Sequence, residues 1–212
     1  MSRFRKPPND VFVSTDIEAD GPVPGLYSML SLGSAAYSLE GELLDTFSVN
    51  LETLPEAGTH PDTMAWWEQW PEAWAACREN QQPPEQGLQA YRHWLESMGG
   101  RPVFVAWPVA FDFTFVNYYL HRFTGGTPFG YTALDIKSYA MAVMQTSSFH
   151  RATKKRLPAR LFEPGLRHNH IALDDALEQG ALFMAILQEN LSRGMPDVNP
   201  ADYTEYPDWN AD

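Results

Sequence analysis

Residues 11–22 of the chain, VFVSTDIEADGP, begin with an apolar run and end in a turn sequence. The partly β-branched run, stopped by Asp20-Gly21-Pro22, predicts a buried β-strand over Val11 to Asp16. Because side chains alternate between the faces of a strand, Asp16 and Glu18 point to the same side. Two carboxylates so placed repel each other unless a cation lies between them, and oxygen ligands suit Mg²⁺ or Mn²⁺. A pair of solvated acids at a strand end is the alternative.

The rest of the chain predicts further strands and helices around this segment. Glu40-Gly41-Glu42 is typical of a hairpin turn, and beyond residue 60 helices and strands alternate. This order predicts an α/β protein with one mixed five-stranded sheet and helices on both faces. We expect the other strands over residues 29–39, 43–51, 102–107 and 131–136, and helices over 63–76, 84–98, 111–123, 137–145 and 173–193.

Length and composition indicate one globular domain. The chain has 212 residues, of which 44% are hydrophobic, enough for a sizeable core. We place the domain over residues 1–195 and an acidic, proline-containing tail over residues 196–212. No apolar run approaches the roughly 20 residues of a membrane span, and we see no secretory signal. Cys77 is the only cysteine, which excludes an internal disulfide, so we expect a cytoplasmic protein without a membrane partner.

The net charge of −12 argues against tight, sequence-independent binding of long duplexes, because phosphates attract Lys and Arg. The basic residues are, however, concentrated between residues 151 and 167. Within that stretch, Lys154, Lys155 and Arg156 could bind the phosphates of a nucleic acid. A solvated charged loop is an equally good interpretation of the same residues.

Asp112 lies within an aromatic segment that is predicted to be helical. On a helix it shares a face with Phe115, Val116 and Tyr119, and that face should belong to the core. A buried carboxylate without partners is costly, so Asp112 requires hydrogen bonds or a metal ion. The alternative is an aspartate that caps the N-terminus of the helix.

His170 precedes the last helix, and Asp175 lies in or near its first turn. Of the six histidines, only His170 has an aspartate five positions later. A loop histidine could activate a water molecule, while the helix start would fix the carboxylate. The alternatives are a surface histidine and aspartates that complement the helix dipole.

Together these residues resemble the DEDDh, or DnaQ-like, 3′–5′ exonucleases, whose core is RNase H-like. The family has D-x-E on its first strand, an Asp after an aromatic residue at the start of a central helix, and H-x4-D near the last helix. Asp16 with Glu18, Asp112 after Phe111, and His170 with Asp175 match this order and span residues 16 to 175. The segment 63–67, TMAWW, also resembles a branch of small bacterial exoribonucleases within this superfamily.

The resemblance implies a metal-dependent exonuclease that releases nucleoside 5′-monophosphates from the 3′ end of a single strand. It implies two Mg²⁺ or Mn²⁺ ions held by four acids, with His170 taking a proton from the attacking water. The four acids would be Asp16, Glu18, Asp112 and Asp175. One departure is Trp107-Pro108, which stands where the family usually has His-Asn before the second-motif Asp; substrate placement could therefore differ.

Substrate contacts are predicted on both sides of the first motif. Ala19 and Gly21 should lie beside the terminal sugar, as this stretch does in the family, and Trp66 and Trp67 could stack on a base. Tryptophans of a core helix are the alternative to stacking. The acidic surface and the exoribonuclease-like tryptophan segment favour RNA over DNA. A 3′–5′ exodeoxyribonuclease and a non-catalytic nucleic-acid-binding module stay open, and a homodimer is compatible with the sequence.

Overall fold

The computed structural model describes residues 9–194. Its central strand, β1 (Asp10–Ala19), pairs antiparallel with β2 (Met29–Tyr37) and parallel with β4 (Arg101–Ala106). The outer strands are β3 (Leu43–Asn50), antiparallel to β2, and the short β5 (Leu134–Asp135), parallel to β4. The order β3-β2-β1-β4-β5 makes a mixed five-stranded sheet. The predicted sheet is thereby confirmed.

Helices cover both faces of this sheet, as predicted. Val11, Val13 and Ile17 of β1 belong to one apolar cluster, which also contains the large buried apolar residues of α3 and α4. Phe12 points to the opposite face and packs with Phe183 of α6 in a second cluster. The helices are α1 (Pro61–Trp67), α2 (Pro71–Cys77), α3 (Pro84–Ser97), α4 (Val109–Thr124), α5 (Ile136–Val143) and α6 (Ala172–Ser192), with three short 3-10 turns between residues 149 and 161.

Three segments differ from their predicted bounds by more than two residues. The helix predicted over residues 63–76 is two helices, because Pro71 begins α2 and its ring cannot continue the helix before it. The strand predicted over residues 131–136 is reduced to Leu134–Asp135. β1 extends beyond Asp16 to Ala19, so Asp16 and Glu18 lie inside a paired strand.

The tail predicted over residues 196–212 lies outside the described residues. Within residues 9–194 no helix is long and apolar enough to cross a membrane.

The start of α6 lies directly against β2 at Gly33. A Cβ atom on Gly33 would come within 2.3 Å of the backbone carbonyl carbon of Ala172 and the backbone nitrogen of Leu173. These atoms belong to the first turn of α6, which also carries Asp175. Close approach of strand and helix at this point therefore places the helix start over the carboxylates of β1.

Gly33→Ala should lower the free energy of unfolding by about 1–3 kcal/mol, the usual cost of forcing extra volume into a packed interior. The same change should reduce any activity that depends on Asp175, since the clash is with backbone rather than with a flexible side chain. Urea denaturation monitored by circular dichroism measures the first effect. Gly126→Ala is the matched control, because a Cβ on Gly126 would meet nothing within 4 Å. Equal stability of the two variants would show that the contact is not tight.

Candidate active site

Three carboxylates from two elements meet at the end of β1. Asp16 and Glu18 are on the face of β1 that α6 covers, and Asp175 is in the first turn of α6. One carboxylate oxygen from each lies within 4.8 Å of the others. Strand alternation accounts for the first two residues, and the packing of α6 on β1 brings the third. The cluster therefore joins positions that are about 160 residues apart in sequence.

Asp112 joins this cluster from the other side of β1. It lies in the first turn of α4, is 2% exposed, and its Oδ1 accepts a hydrogen bond of 3.1 Å from the backbone N–H of Ile17. Ile17 is between Asp16 and Glu18, so the hydrogen bond holds Asp112 next to both. The N-cap residue of α4 is Pro108. Asp112 is thus not the helix cap, which removes the alternative interpretation of this residue.

The acids of the cluster destabilise one another in their charged forms. Burial, followed by repulsion from Asp112, Glu18 and Asp175, raises the pKa of Asp16 well above its usual value, and Lys154 opposes this rise. Burial and repulsion from Asp175 and Asp112 likewise raise the pKa of Glu18. Burial raises the pKa of Asp112 to about 8, although the hydrogen bond from Ile17 opposes the shift. Divalent cations would relieve this repulsion, and an all-oxygen donor set fits Mg²⁺ or Mn²⁺.

His170 lies beside the carboxylates in a strained backbone conformation, with φ of +63°. Its backbone N–H donates a 3.1 Å hydrogen bond to Oδ2 of Asp175. The imidazole packs edge-on against Trp66 and Trp70, with ring centroids 4.7 Å and 4.4 Å away. Burial and the neighbouring His168 lower the pKa of His170, which leaves the ring neutral and able to accept a proton near pH 7.

His168 is a site residue that the sequence analysis missed. Its Nδ1 is 2.7 Å from Oδ2 of Asp175, and its ring centroid is 4.5 Å from that of His170. The spacing to the following aspartate singles out His170 and ignores a histidine at another spacing. The usable signal was the pattern His168-Asn169-His170, in which the first and third side chains can reach the same carboxylate.

A pocket of about 330 Å³ opens over the carboxylates. Its lining includes Ala19, Gly21 and Trp66, three of the predicted substrate contacts. The lining also contains His168, His170, Pro22, Thr63, Trp107, Pro108 and Phe111. The pocket therefore combines acids with largely apolar or aromatic groups, which suits a nucleotide with a phosphate and a base.

Trp67 is not available to a base, so the stacking predicted for it is wrong. The side chain is 2% exposed and packs against Leu30 and Ala73 in a small core. Its indole N–H donates a 3.0 Å hydrogen bond to the carbonyl of Ala19. Trp67 thus supports the pocket wall from behind, since Trp66 and Trp67 are adjacent on α1 and point in different directions.

The basic residues between 151 and 167 do not form one surface. Lys154 pairs with the buried Glu178 and acts electrostatically on Asp16, so it lies at the edge of the carboxylate cluster. Lys155 is exposed. Arg156 lines a separate cavity of about 430 Å³ together with Arg160. Of the three basic residues predicted to bind phosphate, Lys154 alone is described beside the acids, and the role of the other two stays a prediction.

Trp107 and Pro108, which replace the usual second-motif pair, both line the pocket. The backbone N–H of Trp107 donates a 2.9 Å hydrogen bond to Oε1 of Gln179, whose amide nitrogen donates to the carbonyl of Thr15, also at 2.9 Å. Gln179 therefore ties the end of β4 to β1 just before Asp16. This bridge fixes the pocket wall at the position where the chain departs from the family pattern.

Comparison with known proteins supports the relationship indicated by the motifs. No family model matches the chain. The 3′–5′ DNA exonuclease Cap18 of Escherichia coli is 34% identical over 184 residues, which cover 84% of this chain and 91% of Cap18. The chain belongs to the DEDDh 3′–5′ exonuclease family. Membership in this family agrees with the observed fold and supports 3′–5′ exonuclease activity for this chain.

Solved structures of DEDDh enzymes share the same fold. The nuclease domain of 3′hExo bound to rAMP, a DEDDh family member, superimposes with a TM-score of 0.64 and covers 85% of this chain and 93% of that one, at 11% identity. E. coli exonuclease I in complex with a dT13 oligonucleotide gives a TM-score of 0.61 and covers 87% of this chain but 43% of its own, at 14% identity. This DEDDh chain thus spans less than half of exonuclease I.

Proposed function

We propose that the protein removes nucleotides one at a time from the 3′ end of single-stranded DNA, hydrolysing each phosphodiester bond to release a 5′-mononucleotide. The observation that carries the proposal is that Asp16, Glu18 and Asp112 line one pocket, while Asp175 brings a carboxylate oxygen within 4.8 Å of those of Asp16 and Glu18. Burial and then mutual repulsion raise the pKa values of Asp16 and Glu18; divalent cations would offset that repulsion, and a phosphodiester in the same pocket is a substrate that such cations would activate.

Each acid has a position that suits a distinct role. Asp16 is repelled by the other three acids and is therefore suited to hold both cations. Glu18 and Asp175 would hold one of them, and Asp112, fixed by Ile17, would hold the other directly or through water. When bound, two divalent cations stabilise the charge that develops on the attacking and leaving oxygens.

His170 is the proposed general base. A neutral imidazole can accept the proton of the attacking water, and burial keeps His170 neutral near pH 7. The aromatic rings of Trp66 and Trp70 hold the imidazole from two sides, and Asp175 anchors its backbone. These contacts fix the ring next to the carboxylates before substrate arrives, which lowers the cost of orienting it during the reaction.

DNA is the better-supported substrate because Cap18, to which the chain is 34% identical, is a DNA exonuclease. The RNA preference expected from the sequence stays a prediction. The tryptophan segment gives less support to an RNA substrate than expected, because Trp67 is buried. Ala19 and Gly21 line the pocket where a sugar could lie, and Gly21 packs beneath the ring of Tyr27, where a Cβ would come within 2.2 Å of that ring.

The proposal is tested with matched 5′-labelled single strands of DNA and RNA, incubated with Mg²⁺, Mn²⁺ or EDTA. We expect a ladder that shortens from the 3′ end, is faster on DNA, and disappears in EDTA. Faster trimming of RNA would restore the preference expected from sequence. A strand that is bound and retarded in a gel but never shortened would identify a binding module and contradict the proposal.

Trp66→Ala should raise the KM for single-stranded DNA by about 10-fold, because stacking on an aromatic ring contributes about 1–3 kcal/mol per base. Trp66→Phe keeps an aromatic face and should recover most of the affinity. Steady-state kinetics on one oligonucleotide length measures both. An unchanged KM in the alanine variant would show that the terminal base lies elsewhere in the pocket.

A further inference from the structure

We infer that His168, His170 and Asp175 form a second cation site, selective for Zn²⁺, whose occupation inhibits the enzyme. Part of this inference, the inhibition, rests on the proposed function, whereas the binding does not. The three side chains each offer one ligand atom, and these atoms all lie within 4.8 Å of one another. His168 and the imidazole nitrogens of His170 have no assigned part in holding the cations proposed above.

The geometry is close to what a tetrahedral zinc site requires. Zinc binds imidazole nitrogen and carboxylate oxygen at about 2.0–2.2 Å, so neighbouring ligand atoms in a tetrahedron are roughly 3.4 Å apart. The contact between His168 Nδ1 and Asp175 Oδ2 is 2.7 Å and would open slightly as a metal replaced the proton between them. His168 is 48% exposed and can make this movement, while Asp175, at 1%, stays fixed.

The donor set distinguishes this site from the acidic cluster next to it. Two imidazoles and one carboxylate favour Zn²⁺ and related transition metals, whereas carboxylates alone favour Mg²⁺ or Mn²⁺. Three protein ligands also leave the fourth position of a tetrahedron to water. The backbone supports the site as well, because the N–H groups of Asn169 and His170 donate to the two oxygens of Asp175 at 2.8 Å and 3.1 Å. Hydrogen bonds of this kind orient a carboxylate ligand.

Zinc at this site would compete with catalysis for two residues. Asp175 also belongs to the cluster with Asp16 and Glu18. His170 is the proposed base, and an imidazole whose lone pair is bound to a metal cannot accept a proton. Micromolar zinc should therefore inhibit trimming even at saturating Mg²⁺, and added chelator specific for zinc should restore it.

Binding is tested in the Asp16→Asn background, which weakens the acidic cluster and retains all three proposed zinc ligands. We expect Co²⁺, used as a spectroscopic probe, to produce the intense visible absorption of a four-coordinate site, and Zn²⁺ to displace it stoichiometrically. Adding His168→Gln should weaken Zn²⁺ binding by at least about 100-fold, since loss of a direct ligand exceeds the 10–100-fold loss typical of outer partners. His93 is an exposed histidine on α3, so His93→Gln is the matched control, and this variant should bind zinc normally.

Two outcomes would overturn the inference: unchanged Zn²⁺ affinity after His168→Gln, or weak Co²⁺ absorption of the six-coordinate type in the parent. Inhibition is measured separately, as the zinc concentration that halves Mg²⁺-supported trimming. That concentration should rise by at least about 10-fold in the single variant His168→Gln. Normal zinc binding in a protein that trims no nucleic acid with Mg²⁺ or Mn²⁺ would contradict the proposed function and still support the site.

Discussion

Asp16→Asn should reduce the rate of 3′-terminal hydrolysis by about 1,000-fold or more under single-turnover conditions, while the protein stays folded. Asp16 is repelled by each of the other three acids, so it lies at the centre of the charge that would hold the cations. Losing one such ligand removes interactions that act in the transition state, and losses of this size are typical of such interactions. Rapid-quench measurement on a 5′-labelled strand gives the rate directly.

Adjacent aspartates on α6 provide a matched control for this prediction. Asp175→Asn should show a loss similar to that of Asp16→Asn, because its carboxylate is buried in the cluster. Asp174→Asn should stay within about 3-fold of the parent, since Asp174 is exposed and accepts one hydrogen bond from Asn169. Equal losses in both variants, or a normal rate for Asp16→Asn, would contradict the role given to the cluster.

Without divalent metal, the protein should become less stable as the pH rises from about 4 to about 8. The pKa values of Asp16, Glu18 and Asp112 are raised by folding, to about 8 for Asp112. The folded state then binds more protons than the unfolded state across this window, so the free energy of unfolding falls with increasing pH. The stabilisation of the folded state by these three acids is fully present below their pKa values in the unfolded state. It is lost as the pH rises through their pKa values in the folded state.

Asp112→Asn should remove part of the loss of stability that the charged acids cause at high pH. In EDTA at pH 8 we expect it to raise the free energy of unfolding by roughly 2 kcal/mol and Tm by about 4–8 °C, while abolishing most activity. Added Mg²⁺ should raise the Tm of the parent strongly at pH 8 and weakly at pH 5, because protons compete with the cation. Thermal unfolding across pH, with and without metal, measures the changes in stability, and a trimming assay measures the loss of activity. A parent protein that gains stability between pH 5 and pH 8 in EDTA would show that the acids are not forced together.

Much of the site follows from local rules applied to the sequence. Strand alternation places Asp16 and Glu18 on one face, and the position of Asp112 on α4 follows from its aromatic neighbours. The order of strands and helices was sufficient to predict a mixed sheet with helices on both faces. These predictions succeed because each depends on the periodicity within an element or on the order of the elements along the chain.

Other features depend on how elements pack, and periodicity does not report this. Trp66 and Trp67 are neighbouring tryptophans that the sequence does not distinguish. In the structure, Trp66 lines the pocket, whereas Trp67 is buried and bonds to the carbonyl of Ala19. The basic residues between 151 and 167 divide, since Lys154 and Arg156 belong to the same 3-10 turn and yet the first lies near the acids and the second lines another cavity. His168 was missed because its spacing to Asp175 differs from that of His170, although both rings lie near the same carboxylate in the folded loop.

In the proposed mechanism, four acids hold paired cations where a phosphodiester can reach them, and His170 lies beside them as the base. A crystal grown with Mn²⁺ and a 5′-mononucleotide, examined by anomalous scattering, tests it most directly. We expect two manganese peaks that share Asp16 as a ligand, with the phosphate of the nucleotide between them and His170 on the open side. Absence of manganese from these carboxylates, with the nucleotide bound elsewhere on the protein, would contradict the account.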